Sequence, residues 1–185
     1  MARRVATVLD RLRRDESGFT LIELVTALGM LVIVMTALSY ALMAAHKAEE
    51  DMNRRFGSQI NARIALDQLR REIHCAASVT GGGDRITIVL GNRCPTAGGG
   101  TTVSWCAAGT GTRWALYRQV GSSCGTSGAK RVDYLTTNAL FAIPTPLSGS
   151  LAYLSVTLPV NTRPASGRPD YRLADDIVLR NSARA

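Results

Sequence analysis

The chain has 185 residues and a formal net charge of +8, with 22 lysines and arginines against 14 carboxylates. That length leaves room for one small domain beyond an anchoring segment, and such a charge bears on solubility and weak attraction to acidic surfaces rather than on a fold. No GK[ST] phosphate loop occurs, His46 and His74 are the only histidines, and neither a triad-like nor a CxxC or HxxxH spacing exists, so the common nucleophilic-hydrolase and zinc patterns are excluded.

Residues 1–18 are polar and basic: Arg3, Arg4, Arg11, Arg13 and Arg14 stand against Asp10, Asp15 and Glu16, a net +2 that leaves about +6 on the remainder. They suit a leader and are set apart from the fold. From Leu24 to Ala45 there is neither a charged residue nor a proline. At 1.5 Å per residue this run alone makes a helix of roughly 33 Å, enough to cross a bilayer core. The arginines on its N-terminal side predict an N-in, C-out orientation.

Glu23 sits inside the apolar stretch, where an unpaired carboxylate costs about 2.5 kcal/mol or more and marks a functional site by default. A cut after the small residue Gly18 would supply its partner, because the new α-ammonium of Phe19 would lie one helical turn from Glu23 of the same or a neighbouring copy. At Gly18-Phe19-Thr20-Leu21-Ile22-Glu23, with a basic leader before and a long apolar tail after, the sequence resembles the class III signal peptide of type IV pilins, type II secretion pseudopilins and competence pseudopilins. The resemblance implies cleavage between Gly18 and Phe19 by a prepilin peptidase, N-methylation of Phe19, and a role for Glu23 in subunit entry. It also implies an inner-membrane assembly platform and other pilin subunits as partners, with the helix first in membrane lipid and later in a periplasmic or cell-surface filament. A plain single-pass surface protein is the alternative.

Past the membrane segment (19–45), an amphipathic helix is predicted over 46–79, with Met52, Phe56, Ile60, Ile64, Leu69 and Ile73 as its packing stripe and Gly81-Gly82-Gly83 as its end. Glu50 with Arg54, Asp51 with Arg55, and Asp67 with Arg71 stand at i,i+4 on the exposed side. From residue 80 to 185 the period becomes two. Strands are predicted near Arg85 to Leu90, Thr101 to Ala107, Arg113 to Val120, Val132 to Phe141, Leu151 to Leu158 and Tyr171 to Arg180, between glycine-, proline- and serine-rich turns. The fold class is α+β, a long N-terminal helix laid on a small antiparallel sheet, which is also the pilin arrangement. The segments Asn61 to Ile73, Leu116-Tyr117-Arg118 and Ile177 to Asn181 resemble J-type minor pseudopilins and W-type minor pilins.

Four cysteines, Cys75, Cys94, Cys106 and Cys124, lie beyond the membrane segment, on the oxidising side in the predicted orientation, and two disulfides are expected. A hairpin turn at about Ala108 to Gly111 would set Ala107 opposite Thr112 and bring Cys94 near Cys124, leaving Cys75 for Cys106. Asp175-Asp176 falls short of the oxygen count that calcium takes, and no cofactor is expected. Arg113-Trp114, Tyr117-Arg118 and Lys130 to Tyr134 combine cations with aromatics, which keeps nucleic acid open as a partner and a DNA-binding competence pilin as an alternative. No enzymatic constellation is predicted.

Overall fold

The computed structural model describes residues 20–92, 94, 101–145 and 151–180. Gly18 and Phe19 lie outside the described residues. The helix α1 runs from Leu21 to Cys75. Eight strands follow: β1 (Ala76–Gly82), β2 (Arg85–Leu90), β3 (Thr102–Thr110), β4 (Arg113–Val120), β5 (Ala129–Leu135), β6 (Phe141–Ala142), β7 (Tyr153–Val160) and β8 (Tyr171–Val178). The contacts divide the chain into two compact units, one up to Glu50 and one from Asp51 onward.

In the first unit, α1 is a bare helix on which every described residue from 20 to 50 is exposed. It is long and apolar enough to cross a membrane. Thr26, Thr36 and Ser39 turn their hydroxyls back to the carbonyls of Glu23, Val32 and Met35, which satisfies these three donors within the helix.

The second unit packs helix residues 51–75 on a single antiparallel sheet of order β1-β2-β3-β4-β5-β7-β6, with β8 paired to β7. The sheet curls until Gly83, in the β1–β2 turn, meets Phe141 of β6: Gly83 N–H donates to the Phe141 carbonyl, and the N–H groups of Leu140 and Phe141 donate to Gly83. The core lies between the helix and the concave face. Ala62, Ala65, Leu66, Leu69 and Ile73 meet Ile86, Ile88, Val103, Trp105, Leu116 and Leu158, all buried. The two alanines keep that face of the helix low, and the leucines and isoleucine fill the space over the sheet.

The structure corrects the sequence reading at four points. The packing stripe is the alanine-leucine face; Met52 and Phe56 are 65% and 64% exposed, and Ile60 and Ile64 are exposed with them, so only Leu69 and Ile73 of the predicted stripe are core. The helix ends at Cys75 and not near Val79, because the Cys75 carbonyl accepts from Gly91 N–H and the next residues pair with β2, starting at Ala76 opposite Leu90. Tertiary pairing here overrides local helix propensity. The strand predicted from Val132 to Phe141 ends at Leu135, one residue after an irregularity at Tyr134, whose φ is 62° and whose N–H is taken by the Asp133 carboxylate, and pairing resumes only at the two-residue β6.

The fourth correction is the β3–β4 hairpin. Its turn is Gly111-Thr112, with Thr110 opposite Arg113 and Ala107 opposite Leu116. Gly111 has φ 60° and supplies the positive φ that a two-residue hairpin turn needs, while Ala108 and Gly109 stay in the ladder. Each β3 residue therefore meets a partner four positions later than expected, a shift that keeps every side chain on its face.

With that register the disulfides pair differently. They join Cys75 to Cys94 and Cys106 to Cys124, with Cα separations of 5.4 and 6.1 Å, in place of Cys94–Cys124 and Cys75–Cys106. After Val120 the chain reverses at Gly121, whose φ is 103°, and the Gly121 carbonyl accepts from the Ser104 hydroxyl at 2.7 Å. Residues 121–128 then lie back over the sheet face that carries Ser104, Cys106 and Gln119, where Gln119 donates to the Ser123 hydroxyl. Cys124 thus reaches Cys106 across a face and not along a strand. The fold-back of this loop is what the hairpin extrapolation lacked.

Candidate functional site

The first candidate is the start of α1. Thr20 donates to Glu23 Oε2 twice, from its backbone N–H at 3.0 Å and its hydroxyl at 2.9 Å, and Glu23 N–H faces the same hydroxyl at 3.4 Å. This is a capping box: the hydroxyl residue before the first turn and the glutamate three residues on satisfy each other's orphan donors. Thr20-Leu21-Ile22-Glu23 ahead of an apolar run is legible in the sequence as such a box. Glu23 therefore has a structural task within its own chain, and it is also exposed beside the point where an amine would arise.

A second carboxylate was not foreseen. Glu72 is 0% exposed and accepts three hydrogen bonds: from Trp105 Nε1 to Oε2 at 2.8 Å, and to Oε1 from Arg118 Nε at 2.8 Å and Gln68 Nε2 at 3.1 Å. Trp105 and Arg118 are directly opposite each other on β3 and β4, so both side chains leave the core face of the sheet towards the helix. The pair ties helix to sheet by a buried, charge-assisted contact. Its signal was available: Glu72 stands three residues after Leu69 and seven after Ala65 on the face that turns out to be buried. It went unseen because the larger apolar residues of the opposite face drew the stripe away from it.

The remaining candidates divide. All four cysteines are in disulfides. Asp175 is held by Arg70, with Nη2 at 2.7 Å and Nε at 3.1 Å from Oδ2, so this carboxylate is an ion-pair partner. Of the cation-aromatic combinations, Arg118 is consumed by Glu72. Arg113 stacks over the Tyr134 ring at 4.5 Å and reaches Asp133 at 3.7 Å, and Lys130 pairs with the same Asp133 at 2.9 Å. These groups pack on one another at the hairpin, which weakens the nucleic-acid reading. His74 faces the Val178 carbonyl and His46 faces Glu49, both from within α1.

The chain was compared with known families, proteins and structures. The family described as the prokaryotic N-terminal methylation motif matches residues 13–39, the span that holds Gly18, Phe19 and Glu23. No curated protein and no solved structure matches the chain. A methylation motif of this kind implies processing by a prepilin peptidase and assembly with other pilins, and it opens a helix apolar enough for a membrane-anchored precursor. Behind that motif stand a long N-terminal helix and an antiparallel, curled sheet, so the chain joins a prepilin-type cleavage and methylation motif to a pilin-like arrangement of helix and sheet.

Proposed function

We propose that the chain is a minor pilin or minor pseudopilin of a type IV pilus or type II secretion-like filament. Cleavage falls between Gly18 and Phe19, the new amine of Phe19 is methylated, and the helix passes from membrane lipid into the filament through the assembly platform. The observation that carries this reading is the coincidence of the methylation motif at 13–39 with a helix whose residues 21–50 leave every apolar side chain uncovered. Leu24, Leu31, Ile33 and Leu38 are all at least half exposed, a surface suited to lipid or to neighbouring helices and not to water. The minor, J- or W-like assignment rests on the resemblance of three segments, of which the first two are joined in the core by Glu72 and Arg118.

Glu23 is the residue whose role can be isolated. Its carboxylate both caps the helix through Thr20 and offers a charge to an α-ammonium. Glutamine serves the cap equally well but carries no charge. Glu23→Gln and Glu23→Val should both be cleaved and inserted normally and should both fail to enter sheared filaments, measured by immunoblot of the filament fraction. Normal incorporation of Glu23→Gln would assign Glu23 to the cap alone.

A further inference from the structure

In the second unit, helix residues 55–59 and the segment around residues 160–171 flank a half-open cavity of about 60 Å³ that no part of the assembly reading uses. Its walls include Arg55, Ser58, Gln59, Thr162, Arg168 and Tyr171. The charge beside it is unbalanced. Asp51 is approached by three guanidinium groups: Arg55 Nη2 at 3.0 Å, Arg163 Nε at 3.0 Å and Arg168 Nη1 at 3.9 Å. One carboxylate thus serves three cations, an excess of two positive charges. Asp170, between the wall residues Pro169 and Tyr171, is turned to the Thr136 hydroxyl and the Asn161 amide, whose hydrogen bonds hold it below the usual carboxylate range. It does not answer the arginines.

The donors are also incompletely matched. Three buried side-chain polar atoms have no hydrogen-bond partner among the described residues, and two of them, Arg55 Nε and Thr162 Oγ1, belong to this one cavity's walls. A buried guanidinium N–H and a hydroxyl left unpaired are costly, and water would answer the donors but not the charge. An oxyanion answers both. Arginine forks suit phosphate oxygens in particular, and a cavity of this size has room for one phosphoryl group.

We propose that this cavity binds a phosphate-type oxyanion, as free phosphate or as the terminal group of a small phosphomonoester, through Arg55, Thr162 and Arg168. The site is separate from the N-terminal motif and does not depend on the filament assignment.

The test is titration of the full chain in a non-ionic detergent with inorganic phosphate, followed by calorimetry at ionic strength held constant with chloride. Saturable binding is expected, weakened about tenfold or more by Arg168→Gln and several-fold by Thr162→Val, because each removes a charge-assisted donor. Arg85→Gln, at an exposed arginine on β2, should bind as the parent does. Competition by glycerol 3-phosphate would assign the monoester, and its absence would assign free phosphate. No saturable heat with the parent chain, or equal weakening by Arg85→Gln and Arg168→Gln, would overturn the proposal. Circular dichroism of each variant separates lost binding from lost fold.

Discussion

The two ends of α1 each carry a glutamate among apolar residues, and the two are held in opposite ways. The Glu23 carboxylate is exposed and, among the described residues, bonded only to Thr20, three residues away. Glu72 is wholly buried and bonded to residues 33 and 46 positions away on two strands. A carboxylate held only by local bonds can change partners without cost to the rest of the fold, which suits the assembly role proposed for Glu23. One held by long-range bonds cannot, and it fixes the register of helix on sheet. The same residue type is thus a replaceable contact at one end and a structural tie at the other.

The contrast is broken most sharply at Glu72. Glu72→Ala strands the Arg118 guanidinium and the Trp105 indole N–H in the core, and the expected loss is about 3–5 kcal/mol, read by denaturant unfolding of the second unit through tryptophan fluorescence. Glu72→Leu combined with Arg118→Met should recover much of that, since the charge is removed with its partner. Glu23→Val, by comparison, should leave that transition where it is.

The disulfides come next in size. Cys106–Cys124 spans 18 positions, and Cys106→Ser with Cys124→Ser should cost about 3 kcal/mol and release residues 121–128 from the face of β3 and β4. Non-reducing peptide mapping checks the pairing itself: linked Cys75 with Cys94 and Cys106 with Cys124 are expected, and a Cys94–Cys124 peptide would contradict the fold-back of that loop.

The last contrast separates the two faces of the helix within the second unit and holds the smallest expected effect, at Ile64. Leu66→Ala should destabilise by about 2–5 kcal/mol, whereas Ile64→Ala should stay within about 0.5 kcal/mol, because Leu66 is 4% exposed and Ile64 is 56% exposed. Equal losses from the two would mean that the helix packs through the larger apolar stripe after all.

What the sequence disclosed follows the same division between local and distant bonds. The apolar run, Glu23 inside it, the α+β class and strands β2 and β4 with their exact ends were legible, because they rest on charge, hydropathy and a period of two along the chain. The helix end at Cys75, the β3–β4 register and the disulfide pairing were not. The register was set locally, by the two-residue turn at Gly111-Thr112, and the other two by partners remote in sequence: Gly91 for the helix end, Cys75 for Cys94 and Cys106 for Cys124. The buried face was misread for a related reason. Pattern reading favours large apolar residues, while close helix packing favoured Ala62 and Ala65.

The central claim is that the chain is a precursor cut at its N-terminal motif, and intact-mass and N-terminal peptide mass spectrometry of the membrane-derived protein tests it most directly. The account predicts a mature chain beginning at Phe19 with one methyl group on its amine, and an uncut chain in Gly18→Leu. A parent protein that retains residues 1–18, with Met1 or Ala2 at its terminus, would contradict it.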